Sequence, residues 1–136
     1  MARPAIGATI GLAWPLSPTA SRRGWAASTA SWRSRLGETA RKSVARSDVF
    51  HATGTFFRAV ACMVQVLLAL NRRYFLNEKG ALRAIDRFTL RPPGFVATVD
   101  AVLGRPGDDP ATLATSLARL EDLLGAVRGL AAGRAP

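Results

Sequence analysis

A chain of 136 residues that is 49% hydrophobic and carries a formal charge of +10 has enough apolar material for one folded domain and too much for a disordered chain. Its one cysteine, Cys62, excludes an intramolecular disulfide, and no Cys/His zinc spacing occurs. The positive charge is nearly all arginine and is spread along the chain; it suits anionic partners from nucleotides to membrane surfaces, and is equally what a GC-rich coding sequence produces.

Residues 1–34 are rich in Ala, Ser, Gly, Pro and Arg and have almost no aliphatic periodicity. They are expected to be disordered or loosely attached. Trp25 and Trp32 are seven apart and would share a face of a weak helix starting near Ala26. The apolar stretch 6–14 is poorly built as an export signal. Only Arg3 precedes it, Pro15 and Pro18 follow, and Arg22-Arg23 lies on the wrong side of it.

From residue 35 to 131 the pattern predicts a helical bundle domain. Residues 35–46 place Leu36, Ala40 and Val44 in a narrow stripe. Ser47 or Asp48 then reads as an N-cap, opening the longest helical stretch, 48–73. Its apolar positions Phe50, Phe57, Val60, Val64 and Leu67 are expected to face the core, with Phe56, Met63, Leu68 and Leu70 widening the stripe. The apolar run 59–70 is about 12 residues against the roughly 20 a bilayer span needs, so a buried helix is expected, with Cys62 inside it. Gly54 weakens the helix locally.

Asn77 reads as the cap of a helix over 78–88 with Leu82 and Ile85 inward, and Pro92-Pro93 forbids its continuation. Residues 94–103 predict another helix through Phe95, Val99, Val102 and Leu103. In the last helix, 111–130, Asp109 is the cap and Pro110 the first helical position. Leu113, Leu117, Leu120, Leu124 and Val127 there form a bundle seam. No strand pattern appears. The expected fold is all-α: a four-helix up-and-down bundle with an additional N-terminal helix.

No phosphate-binding Gly-rich loop with Lys-Ser/Thr, Gly-x-Ser-x-Gly or His-Glu-x-x-His occurs. Asp108-Asp109 fall in a turn where capping explains them, and no Asp-x-Asp is present to hold magnesium, so two-metal chemistry is not self-contained. Two constellations remain. Arg46 and the only histidine, His51, form an Arg-x4-His element like that of helical ribonucleases of toxin systems, with the histidine moving protons and the arginine meeting phosphate charge. The competing reading is a partly buried histidine at a helix start. The second is 71–79, where Asn71, Arg72, Arg73, Tyr74, Asn77, Glu78 and Lys79 gather at the end of the most apolar helix. Arginine matches phosphate geometry, so the stretch reads either as an anion-contacting edge or as a solvated turn.

The runs Ala40-Arg-Lys-Ser-Val-Ala-Arg-Ser-Asp-Val-Phe-His51, Phe57-Arg-Ala-Val-Ala-Cys-Met-Val-Gln-Val-Leu68 and Ala69-Leu-Asn-Arg-Arg-Tyr-Phe-Leu-Asn-Glu-Lys-Gly80 resemble the C-terminal helical domain, of unknown function, of bacterial nucleotidyltransferase-like proteins. The likeness continues through Pro93-Gly-Phe and Ser116-Leu-Ala-Arg-Leu-Glu121 and spans about 39–130. It implies a domain that closes over a catalytic α/β domain and helps bind the acceptor substrate. That partner domain would carry the Gly-Ser turn and the Asp-x-Asp pair. Residues 1–34 supply neither, so the expectation is a truncated or split form without its own catalytic site.

On this reading Asn71, Arg72, Arg73, Tyr74, Asn77 and Lys79 contact nucleotide or substrate. The chain itself holds no cofactor; magnesium and a nucleoside triphosphate enter only with a catalytic domain supplied elsewhere. The expected partners are that separate domain or a second copy, with no membrane and nucleic acid disfavoured, in the cytoplasm. A rival reading is a protein-interaction or antitoxin-type module in which the seam from Leu113 to Val127 pairs two copies.

Overall fold

The computed structural model describes residues 37–74 and 77–133. The expectations for 1–34, including a helix bearing Trp25 and Trp32, lie outside these residues. Among the described residues all regular structure is helical, with no strand, and the order is α1 (37–45), α2 (Val49–Leu70), α3 (Ala81–Ile85), α4 (Phe95–Gly104) and α5 (Pro110–Ala132).

Local chemistry explains most of the boundaries. The Asp109 carboxylate accepts from the backbone N–H groups of Ala111 at 2.8 Å and Thr112 at 2.9 Å, Thr112 completes a capping box, and Pro110 takes the first turn. The turn before it is closed down onto the helix. Ser116 Oγ donates to the Pro106 carbonyl at 2.7 Å. Gly107 has φ +107°, and a Cβ there would lie 2.5 Å from Thr112 Oγ1 and 2.8 Å from Leu113 N. Only glycine fits on both counts. Asp48 caps α2 through His51 N–H at 3.0 Å, so of the two residues able to cap, Asp48 does so.

The third helix departs from expectation. It starts at Ala81 behind a left-handed Gly80, not at Glu78. Asn77 instead accepts from the N–H of Lys79 at 2.9 Å, a local turn that competes with helix initiation.

α2 packs against α5, α4 and α3, and α5 also against α4. Phe56, Met63 and Leu67 of α2 meet Ile85 of α3, Phe95, Val99 and Val102 of α4, and Leu113, Leu120 and Val127 of α5 in one core, to which α1 adds Ala40 and Val44. The α5 seam faces inward as expected, with Leu123 buried and Leu124 at its edge. Leu113, Leu117, Leu120 and Val127 of that seam are thereby buried in the core.

The α2 stripe is corrected. Val60, Val64 and Leu67 are buried, but Phe50 and Phe57 are exposed. Neighbours such as Phe56 and Phe57 point about 100° apart on a helix of 3.6 residues per turn, and near the start of α2 the core takes Phe56 and leaves Phe57 outside. Phe56 keeps step with Met63 and Leu67 and takes that place. The helix is also longer than the apolar run 59–70 that ends it. By length and composition α2 could cross a membrane, and 56% of its apolar window is buried within the domain.

Candidate functional site

α1 and α2 end in the same way. At the end of α1, Ser47 N–H donates to Val44 O at 3.1 Å and Asp48 N–H to Ser43 O at 2.9 Å, and Ser47 has φ +52°. At the end of α2, Arg72 N–H donates to Ala69 O at 3.0 Å and Arg73 N–H to Leu68 O at 2.8 Å, and Arg72 has φ +56°. Both are complete Schellman closures, and both put a side-chain-bearing residue where glycine is the usual choice.

The first corner holds the Arg-x4-His element. Ser43 Oγ donates to Thr39 O at 3.0 Å. A hydroxyl has one proton, so its 2.5 Å contact with His51 Nδ1 is one in which the ring N–H donates and Oγ accepts. His51 is half-buried and its bonded partner is Ser43, while Arg46 sits exposed in the turn.

The second corner holds the other predicted group. Asn71 lies at its root as the C-cap of α2. Its Nδ2 donates to Leu67 O and Leu90 O at 2.8 Å each, and its Oδ1 accepts from Leu90 N–H at 3.2 Å. The amide is fully engaged in binding the end of α2 to the stretch before α4. Asn77 is engaged in its own turn. The structure therefore divides the sequence-predicted set. Asn71 and Asn77 position the segment, while Arg72, Arg73, Tyr74 and Lys79 are exposed, with Tyr74 at 77%. Phe75 and Leu76 fall outside the described residues.

Among the described residues the ion pairs join Arg41 to Glu121, Lys42 to Glu38 and, at 3.9 Å, Arg91 to Asp86. None uses Arg72, Arg73 or Lys79. Arg91 is an addition that sequence order hid. It follows Leu90, which the Asn71 side chain holds at the end of α2. Its Nε is buried without a hydrogen-bond partner. Nothing in the local pattern around Arg91 marks it; only the contact between Asn71 and Leu90 does. Across 71–91 there are six Lys/Arg against two Asp/Glu, giving a basic end to the molecule.

Cys62 is half-buried, and burial raises its thiol to about 11. It stays protonated at neutral pH and is a poor nucleophile. Hydrogen bonds from Thr112 and Ala111 hold the Asp109 carboxyl below its ordinary value, as expected for a cap. Among the described residues no three His, Cys, Asp or Glu side chains gather as a metal would require. The donors of the hinge fit anionic oxygen instead.

No family model matches the chain, and no curated protein or solved structure matches it.

Proposed function

We propose that the chain is the helical substrate-binding domain of a nucleotidyltransferase-like protein, in a truncated or split form that works with a catalytic domain supplied by another chain. The reading takes the helices as a four-helix up-and-down bundle with an additional N-terminal helix. Its hinge between α2 and α3 would be the edge of the shared cleft. The observation that carries it is the hinge itself: Arg72, Arg73 and Lys79 stand exposed with no carboxylate partner among the described residues. Arg72 is moreover held in a left-handed conformation that costs about 1 kcal/mol relative to glycine. A costly backbone state at a charged, unpaired residue is what a retained binding role produces.

In this role the two guanidiniums and the ammonium meet phosphate or acceptor oxygens, and the Tyr74 phenol lies beside them. Magnesium and the nucleoside triphosphate come with the catalytic domain, which supplies the metal-held phosphoryl chemistry.

Titration calorimetry of the full chain with magnesium-ATP, at low salt and with or without a catalytic domain in trans, tests the reading. Binding is expected for the wild type and its loss for Arg72→Ala/Lys79→Ala. A control Arg105→Ala/Arg119→Ala, which removes the same charge elsewhere, should bind as the wild type does. Equal heats for wild type and hinge variant, including negligible heats for both, remove the cleft role.

A further inference from the structure

Phe50 is 93% exposed and Phe57 51%. Seven residues apart, they project from one side of α2, separated by about 10 Å along its axis. Among the described residues the pair is left outside the core, although Phe56 between them is fully buried. The helix around them has no acidic residue, and Arg58 is its one cation. Arg46 stands exposed at the corner from which α2 starts.

Charge is distributed to match. Residues 37–91 carry ten Lys/Arg against four Asp/Glu, while 92–133 carry three against five. Among the described residues the large exposed hydrophobics Phe50, Phe57 and Tyr74 lie in the basic part. The described residues therefore divide into a basic, aromatic part and an acidic part in which no large hydrophobic is exposed. An aromatic pair on a helix flanked by arginines is suited to an anionic lipid interface, where rings enter the headgroup boundary and guanidiniums meet lipid phosphates.

We propose that the outer face of the N-terminal half of α2 docks peripherally on anionic bilayers, with Phe50 and Phe57 inserted and Arg46 and Arg58 against the headgroups. The helix lies on the membrane and does not span it, because its opposite face, with Phe56, Met63 and Leu67, is the centre of the core. Single-stranded nucleic acid is the lesser fit: it is held by a basic groove that tracks its backbone, whereas these rings stand on the convex side of a helix. The expectation of partners without a membrane rested on an apolar run too short to span a bilayer, which does not bear on a helix lying on its surface.

The test is co-sedimentation of the full chain with vesicles of phosphatidylcholine, alone or with about one quarter phosphatidylglycerol. The wild type should partition onto the anionic vesicles. Phe50→Ser/Phe57→Ser, which leaves the net charge unchanged, should bind about tenfold more weakly or less. Phe50→Trp/Phe57→Trp should bind at least as well as wild type, and keeps the test decisive should the serine pair fail to fold. No partition of the wild type overturns the proposal. So does equal partition of the serine pair, which would reduce binding to bulk charge, or weakened partition of the tryptophan pair. Phe-dependent binding to single-stranded RNA without lipid also overturns it, by assigning the face to nucleic acid.

Discussion

The corner after α1 and the corner after α2 share one backbone design: two closing hydrogen bonds and a left-handed residue that is not glycine. They differ in what becomes of the polar side chains. After α1 the groups are consumed at once. Asp48 caps α2, Ser43 binds Thr39 and His51, and Thr55 Oγ1 donates to His51 O at 2.8 Å. After α2 Asn71 and Asn77 are consumed, while Arg72, Arg73, Tyr74 and Lys79 face solvent. A corner that uses its polar groups internally is explained by packing. One that leaves three cations without a carboxylate among the described residues has a surplus, which the proposed binding role would use.

The comparison can be broken by substitution. The largest expected effect is Asn71→Ala. It removes three hydrogen bonds and strands backbone groups of Leu90, and should lower unfolding free energy by about 2 kcal/mol; an unchanged denaturation midpoint would show that the strap is dispensable. Ser43→Ala should cost about 1 kcal/mol in the same measurement, since it leaves His51 Nδ1 and Thr39 O without this partner.

Glycine sharpens the contrast. Ser47→Gly and Arg72→Gly should each raise stability by about 1 kcal/mol, because each relieves a left-handed non-glycine residue. Only Arg72→Gly should weaken magnesium-ATP binding, and equal binding by both would erase the distinction between the corners.

The smallest effect belongs to a third helix end, the cap of α5. The Asp109 carboxyl is held below its ordinary value of 3.8, so its ionised form is favoured in the folded state. The stability it contributes is present above that value and is lost as pH falls through the depressed one. Asp109→Asn should therefore narrow the stability gap between neutral and strongly acidic pH, as followed by thermal denaturation.

Much of the fold could be read in advance where local chemistry and periodicity agreed. Asp109, Pro110 and the leucine spacing marked α5 almost to the residue. Around α2 they did not suffice. A helix apolar around most of its circumference gives no unique inward face, so Phe50 and Phe57 were placed in the core when only the packing of Phe56 could settle the matter. At the hinge the residue types were legible and their division of labour was not. Asn71 reads as a ligand-contacting amide until its three bonds are seen, and Arg91 becomes a neighbour only through them. The left-handed state of Arg72 left no trace, since the usual marker, glycine, is missing there.

Asn71 and Leu90 stand 19 positions apart, and their bonds close the hinge and α3 into a loop that Ile85 also pins to the core. Opening that loop as a unit while α2, α4 and α5 remain packed would break the Asn71 bonds and withdraw Ile85. The loop's amides should then exchange with deuterium together and sooner than those of the core, and a ligand that grips the hinge should slow the whole loop. Asn71, whose amide is bonded to backbone at both ends, would thereby set how long the site stays shut.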